Sequence, residues 1–492
     1  MKGIYASCKY NREKTLEFIK NTLPTGYHCV SAIKDGKLLS KFALAPYDTS
    51  DAPQVFSLSK SFCSTAAGFA YDEGLWRPND RLSDFFPDHL PENISERARN
   101  MTVENVLTMG TGHGCCAMNA CINANDPIKA FFSQATPHEP GKKFVYNTGA
   151  TFMVAALVER LTGESVYDYL NRKLFGYLGL RPKKWQRVPQ VSSNGVTPGI
   201  CEGGVGLHVS LDCIERFGEL YLNGGMLDGK QILSREWVAL ATNKRIDNSV
   251  NETVTAWIDG TKSDWEAGYG YQFWINAVGG FRADGAFGQF CIIIPEERII
   301  VSALAKAADT ERELRELVAF ARSLDAESTE GEGHFTDEYA DSIYAVPALE
   351  KSGEFGGFGK LFRLGKNISD FTSVKVDKVS DGIKVSFTDG EGVESFFAPF
   401  EGSEYCRITA KGFRPTLASL CPTRREEVLF NAGVESIAED RIVINMRFRN
   451  CPASGRMIFT LDGGDLDIYA NYDCDKWTLR SEYSVYTGKA FE

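Results

Sequence analysis

The chain has 492 residues, of which 43% are hydrophobic and 24% are charged, and this length and composition are typical of a globular protein with two or three domains. Its formal net charge of −11, with no basic cluster, makes nucleic acid an unlikely partner. The N-terminus lacks the apolar core of a signal peptide, and no later run could span a membrane. We therefore expect a cytoplasmic protein without membrane contact.

Thirteen cysteines are scattered along the chain. Only Cys115, Cys116 and Cys121 lie close together, with His113 beside them, and no second pair at zinc-ligand spacing is near. In a cytoplasmic protein such cysteines are mostly small buried hydrophobic residues. We expect no metal site and no cofactor.

The N-terminal elements lead to one apolar helix. Residues 1–20 predict a polar helix, and residues 27–47 predict two strands joined at Asp35-Gly36. An acidic loop over residues 48–53 follows. The small, apolar run after it predicts a buried helix from near Ser57 to Glu73-Gly74.

This helix carries a serine and a lysine at the spacing of a serine nucleophile and its activating base. Ser57 and Lys60 are three residues apart and share one helix face. Burial of the amine in an apolar helix favours a lowered pKa for Lys60, which would let it activate the hydroxyl. The spacing alone is weak, because about two chance matches are expected in a chain of this length. Ser31 and Lys34 also match it, within a predicted strand.

The elements after this helix alternate between helices and loops, and strands follow them. Thr102 is the predicted N-cap of a short helix, and residues 113–140 predict an irregular or helical excursion. Further helices are predicted over residues 150–161, 163–180, 213–222 (capped by Ser210-Leu211-Asp212), from Ser234 onward, and 310–324. Gly203-Gly204 predicts a tight turn, and residues 268–304 predict strands.

The composition changes after the last of these helices. Residues 326–344 predict an acidic linker, and residues 345–492 show short alternating runs with turn residues. This pattern predicts an all-β domain, a barrel or a sandwich, and we find no catalytic constellation in it.

Residues 1–325 resemble the serine β-lactamase and penicillin-binding-protein superfamily, in its class C-like branch, which includes esterases, D-amino-acid peptidases and amide hydrolases. The order and spacing of several motifs carry the resemblance. These motifs are Ser57-Leu58-Ser59-Lys60, the run over residues 102–112, Tyr146-Asn147-Thr148-Gly149, residues 203–207, residues 216–225 and the strand around Gly285. The C-terminal domain looks like those appended to many bacterial members.

The resemblance implies an α+β fold, with a five-stranded antiparallel sheet flanked by helices and a helical subdomain inserted between its strands. It implies that Ser57 is the nucleophile, Lys60 its activating partner and Tyr146 the usual acid and base. An acyl-enzyme would form and water would release it. The Lys60 ammonium could lower the pKa of Tyr146. The N–H groups of Ser57 and Ala286 would form the oxyanion hole.

The substrate-binding residues implied by the family are Asn147, Thr148, Asp284, Gly285 and Ala286, and two positions depart from its pattern. Thr148 stands where Asn is common. Ala283-Asp284-Gly285 stands where the family has Lys-Thr-Gly or His-x-Gly, so the cation that would hold a β-lactam carboxylate is missing. Arg282 is adjacent, but neighbouring strand residues point in opposite directions. We explain Gly285 by close approach of the substrate to the strand.

Three functions remain open at this stage. The first is a serine hydrolase that cleaves a small amide or ester, acting as a carboxylesterase or as an amidase or D-aminopeptidase-like enzyme. The second is a catalytically lapsed binding or regulatory protein. The third is a weak β-lactamase, which the missing cation disfavours. In each case the partner is a small molecule, and the oligomeric state is undetermined.

Overall fold

The structure is a computed structural model, and it describes most of the chain. The described residues are 5–6, 11–22, 25–188, 190–192, 195–197, 199–249, 263–307, 309–325, 350–352, 356–365, 367, 369–411, 425–451, 453–473 and 482–490. The acidic linker predicted at residues 326–344 lies outside them. The domain boundaries at residues 325 and 345 therefore stay predictions.

The N-terminal part contains the strands of a central sheet and several short hairpins. The strands are β1 (Tyr5–Ala6), β2 (Tyr27–Lys34), β3 (Lys37–Ala43), β4 (Lys184–Trp185), β5 (Gln190–Ser192), β6 (Gly195–Thr197), β7 (Leu207–His208), β8 (Met226–Leu227), β9 (Lys230–Gln231), β10 (Trp274–Ile275), β11 (Phe281–Gly285), β12 (Gln289–Ile294) and β13 (Ile299–Ala305). The central sheet has the order β1-β3-β2-β13-β12-β11-β10, and every pair in it is antiparallel.

Helices cover both faces of this sheet. They are α1 (Arg12–Thr22), α2 (Ser59–Asp72), α3 (Glu96–Asn100), α4 (Val103–Leu107), α5 (Met118–Ile122), α6 (Pro127–Phe132), α7 (Thr148–Thr162), α8 (Val166–Leu170), α9 (Gly176–Leu178), α10 (Leu211–Leu222), α11 (Arg235–Thr242) and α12 (Thr310–Ser323). One core cluster joins α1 and α12 to one sheet face, and the largest cluster joins α2, α7 and α10 to the other.

Small residues allow α2 to pack at the centre of the helical region. A Cβ on Gly68 would lie 2.4 Å from the indole nitrogen of Trp237, so only glycine fits against that ring. On another side of α2, the Ser61 and Ser64 hydroxyls donate to the carbonyls of Gln272 and Tyr271, each at 2.7 Å. The apolar, small-residue composition of α2 therefore follows from close packing on every side.

The C-terminal part is all-β, as the sequence predicts. Its strands are β14 (Glu350–Ser352), β15 (Leu361–Leu364), β16 (Ser373–Val379), β17 (Gly382–Thr388), β18 (Val393–Pro399), β19 (Glu404–Lys411), β20 (Arg425–Ala438), β21 (Arg441–Phe448), β22 (Ser454–Asp462), β23 (Asp465–Asp473) and β24 (Glu482–Ala490). Strand β15 pairs with both β16 and β24, β19 pairs with β20, and β18 lies against β19. Strands β15 to β24 thus follow one another around a barrel-like sheet with an apolar interior.

The predicted α+β fold with an appended β domain is confirmed, with two corrections. The sheet has seven strands, because the two-residue strands β1 and β10 extend the five expected ones at its edges. Residues 268–273 form turns and isolated bridges instead of a regular strand. Gln272 there has a φ of +65°, which a continuous strand does not accommodate.

Within the described residues, no helix has the length and apolar character needed to cross a bilayer. The same residues contain no group of three or more His, Cys, Asp or Glu placed to hold a metal ion. In the cysteine cluster, Cys115 and Cys116 are exposed whereas Cys121 is buried.

Candidate active site

Ser57 lies in a strained turn that leads directly into α2. Residues Phe56–Leu58 form a single 3₁₀ turn, and Ser59 begins the helix. Phe56 has a φ of +46°, a left-handed conformation that is costly for a residue with a side chain. Such strain persists only where the surroundings hold it, and it is typical of functional sites.

The surroundings of this turn supply that support. The Ser59 hydroxyl donates to the Phe56 carbonyl at 2.5 Å and accepts from the Leu207 N–H at 3.2 Å. The Val55 N–H donates to the Leu207 carbonyl at 2.9 Å. Strand β7 therefore holds the turn on both sides of Ser57, which is itself partly exposed.

Lys60 points its amine at the Ser57 hydroxyl. Its Nζ lies 2.9 Å from Ser57 Oγ and 2.8 Å from the Gly204 carbonyl oxygen, and the side chain is buried. Among the described residues no carboxylate forms an ion pair with it. Burial lowers the pKa of Lys60 from its usual value to about 7. The lowered pKa expected from the apolar helix is confirmed.

Tyr146 completes the group around Ser57. Its phenol is hydrogen-bonded to Ser57. Its ring centroid lies 4.9 Å from Lys60 Nζ and 5.3 Å from the stacked ring of Trp274. The expectation of a lowered tyrosine pKa is wrong. Burial raises the pKa of Tyr146 above that of a free phenol, and its hydrogen bond with Ser57 does not offset this effect.

The two residues after Tyr146 differ in what they contact. Asn147 is fully buried, and its side-chain oxygen accepts from the N–H groups of Ala117 (2.9 Å) and Ala150 (3.3 Å). Asn147 thereby caps α7 and anchors the loop before α5, and these contacts leave it no direct role in holding substrate. Thr148 is partly exposed, and its methyl group would touch a Cβ placed on Gly204.

Gly203 and Gly204 have a larger role than the tight turn expected from the sequence. A Cβ on Gly203 would lie 2.8 Å from the Thr151 carbonyl, and one on Gly204 would lie 3.2 Å from Lys60 Nζ. The glycines let the chain pass between α7 and Lys60, where the Gly204 carbonyl accepts the amine. The position of this carbonyl depends on tertiary packing, and no local signal in the sequence reveals it.

Strand β11 lies directly against the turn that carries Ser57. A Cβ on Gly285 would lie 2.2 Å from the Val55 carbonyl oxygen and 3.1 Å from the Leu58 nitrogen. The explanation of Gly285 by close approach of a substrate is therefore wrong, since the turn that carries Ser57 occupies that space. Ala286, directly after the strand, is exposed beside the turn.

Arg282 and Asp284 form a buried ion pair behind this strand. Arg282 Nε donates to Asp284 Oδ2 at 2.8 Å, and the side chains are 0% and 10% exposed. The guanidinium also donates to the Asn276 side chain at 2.9 Å and lies 4.4 Å from the Trp265 ring centroid. Ala283 is buried on the opposite face, against the α2 core. The negative charge of Asp284 is therefore matched by an adjacent cation.

The family of the chain follows from this fold and from comparison with known proteins. The Beta-lactamase family model matches residues 29–325, and the chain belongs to that family. The resemblance seen in the motifs is confirmed. Proteins similar to this chain include a hydrolase and a carboxylesterase.

Individual relatives are distant. The chain is 23% identical over 298 residues to a 6-aminohexanoate-dimer hydrolase from Paenarthrobacter ureafaciens, covering 57% of this chain and 72% of that protein. It is similar to the crystal structure of a family VIII carboxylesterase, with a TM-score of 0.50, 16% identity and coverage of 65% and 100%. An octameric penicillin-binding-protein homologue from Pyrococcus abyssi matches at 15% identity and a TM-score of 0.47, covering 97% and 98%.

Proposed function

We propose that the protein is a serine hydrolase that cleaves a small amide or ester through an acyl-enzyme on Ser57. The observation that carries this proposal is the Lys60 amine, 2.9 Å from Ser57 Oγ and with a pKa of about 7. A neutral amine is available at physiological pH, in hydrogen-bond contact with the hydroxyl group whose proton it must take.

In the proposed acylation step, Ser57 Oγ attacks the substrate carbonyl while neutral Lys60 accepts the hydroxyl proton. Tyr146 keeps its own proton because its pKa is raised, so it can donate to the leaving amine or alkoxide as the tetrahedral intermediate collapses. The Lys60 ammonium can then reprotonate the phenolate, because both groups lie beside Ser57, to which each is hydrogen-bonded. Water releases the acid by the reverse sequence.

The proposed oxyanion hole combines the N–H groups of Ser57 and Ala286. Close packing of Gly285 on the turn that carries Ser57 supports this pairing, because it brings the end of β11 beside the nucleophile. Thr148 and Asp284 remain candidates for substrate contact at the edge of the cleft.

Specific observations disfavour two alternative functions. A weak β-lactamase is disfavoured because strand β11, which lies wholly within the described residues, has no cation free to bind a β-lactam carboxylate. Ala283 is uncharged and buried, and the nearby Arg282 is paired with Asp284. A lapsed binding protein is disfavoured because Ser57, Lys60 and Tyr146 keep a hydrogen-bonded arrangement.

The proposal is tested by intact-mass spectrometry after incubation with a fluorophosphonate probe. We expect a single adduct on the wild-type chain and none on Ser57→Ala. A panel of p-nitrophenyl esters, D-amino-acid amides and nitrocefin then separates esterase, amidase and β-lactamase activity. An unlabelled wild-type chain that turns over no member of the panel would favour the binding protein.

A further inference from the structure

The acidic loop before Ser57 is one of the places where the β domain contacts the N-terminal region. Arg449, directly after β21, donates through Nε and Nη2 to the two carboxylate oxygens of Asp51, at 2.8 and 2.6 Å. Both side chains are about one-fifth exposed, at 20% and 18%. Bidentate guanidinium–carboxylate pairs fix orientation as well as distance.

A backbone hydrogen bond continues this contact toward the nucleophile. The Gln54 N–H donates to the Asn450 carbonyl at 3.1 Å, and the next N–H, of Val55, donates to Leu207 at 2.9 Å. The segment entering the Ser57 turn is thus held by the β domain at one residue and by β7 at the next.

The β-domain side of this contact is itself firmly held. The Arg449 N–H donates to the Leu429 carbonyl at 2.8 Å, and the Asn450 side chain donates to the Glu427 carbonyl at 2.8 Å. Asn450 is 4% exposed. The Arg449 guanidinium lies 5.2 Å from the Tyr405 ring centroid. These contacts make the turn after β21 a rigid support instead of a mobile loop.

Support at this place matters because the turn is strained. Phe56, two residues after Gln54, has a φ of +46°, and Ser57 follows it. A residue in that conformation relaxes unless neighbouring structure holds it. A shift of about 1 Å in a catalytic group can lower a rate by about 100-fold.

We propose that Arg449 and Asn450 are positioning residues for Ser57, so that the β domain is a structural part of the active site. Arg449 holds Asp51, Asn450 holds Gln54, and together they keep Ser57 Oγ in line with Lys60. The catalytic readout of this inference rests on the proposed serine hydrolase function.

The test compares three variants of the full-length chain by fluorophosphonate labelling rate and by kcat and KM on an ester that the wild type cleaves. We expect Arg449→Ala to lower both the labelling rate and kcat by about 10- to 100-fold with little change in KM. Arg449→Lys keeps the charge but loses the bidentate contact, so we expect an intermediate loss. The matched control is Lys183→Ala, which removes another ion pair between the same two regions (Nζ to Glu427 at 2.6 Å) and should stay within about twofold of wild type.

Hydrogen exchange provides a readout independent of catalysis. We expect Arg449→Ala to speed amide exchange at Gln54 and Val55 while exchange within α2 stays at the wild-type rate. If Arg449→Ala fails to fold, Asp51→Asn removes the charge with the same shape and should show the same pattern at smaller amplitude.

The outcomes separate this inference from the proposed function. Wild-type labelling with an equal rate for folded Arg449→Ala would overturn the positioning role and leave the hydrolase intact. Unchanged exchange at Gln54 and Val55 would overturn it as well. A wild-type chain that is never labelled, together with faster exchange in Arg449→Ala, would overturn the hydrolase function and keep the structural clamp.

Discussion

Two buried cations lie near the same cleft and have opposite surroundings. Lys60, on α2, faces the Ser57 hydroxyl and the Gly204 carbonyl, whereas Arg282, on β11, faces the Asp284 carboxylate. Both side chains are 1% exposed or less. The partner therefore decides what each cation does. Lys60 has no ion-pair partner among the described residues and its pKa is lowered by burial, whereas Arg282 is held in a buried ion pair with Asp284.

Lys41 shows that the pKa of a buried lysine depends on its partner. It lies on β3 beside Asp212 and Glu215. Burial alone would lower the pKa of Lys41, but the two carboxylates outweigh burial and the pKa is raised. Lys41 and Lys60 thus have the same side chain and opposite shifts in pKa.

The largest effect that this comparison predicts is on catalysis at Lys60. Lys60→Met keeps the volume and removes the base, so we expect acylation of Ser57 to fall by about 10⁴-fold or more, measured as kcat or as probe labelling rate. Stability should hold or rise, because a desolvated amine is replaced by an apolar side chain.

The matched control is Lys41→Met, for which we expect the opposite result. Loss of Lys41 leaves Glu215 buried without its cation, so urea unfolding should show lower stability while the folded protein keeps its kcat. Equal loss of activity in the two variants would mean that Lys60 acts through structure alone.

The next effect concerns stability at Arg282. Arg282→Met leaves Asp284 largely buried and unpaired, and we expect the free energy of unfolding in urea to fall by about 3–5 kcal/mol. The carboxyl group can lessen this loss by taking up a proton, so the deficit should shrink as the pH is lowered.

The double variant Arg282→Met/Asp284→Leu sharpens this prediction. Replacement of both partners by apolar side chains removes the unpaired charge, so most of the lost stability should return. A double variant as unstable as Arg282→Met would show that the guanidinium acts through its contacts with Asn276 and Trp265 instead.

The predictable part of the site is the part that local sequence encodes. Ser57 and Lys60 share a face because the 3₁₀ turn and the start of α2 bring residues three apart together. The apolar character of α2 also predicted the direction of the Lys60 pKa shift. The family motif located Tyr146 and Gly285 in the chain.

Long-range packing determines the features of the site that the sequence does not predict. One neighbour, Lys60, predicts a lowered pKa for Tyr146, whereas burial by all of its surroundings raises that pKa. The strand motif predicts that Gly285 makes room for a substrate, yet Val55 and Leu58 fill that space. The pairing of Arg282 with Asp284 follows the two-residue repeat of a strand, but its depth in the protein depends on Trp265.

The smallest effect is the pH dependence of acylation, and it distinguishes Lys60 from Tyr146 as the base. The reactive form of Lys60 is the neutral amine, which predominates above a pKa of about 7, so the acylation rate should rise with pH to a plateau with its midpoint near 7. Below that midpoint the rate should fall tenfold per pH unit. Tyr146, whose pKa is raised, stays protonated across this range and adds no second rise between about pH 8 and 10. The measurement is the fluorophosphonate labelling rate against pH. A rate that keeps rising above pH 9 would assign the base to the tyrosinate. It would also contradict the inference that Lys60, unlike the ion-paired Lys41 and Arg282, acts as the base.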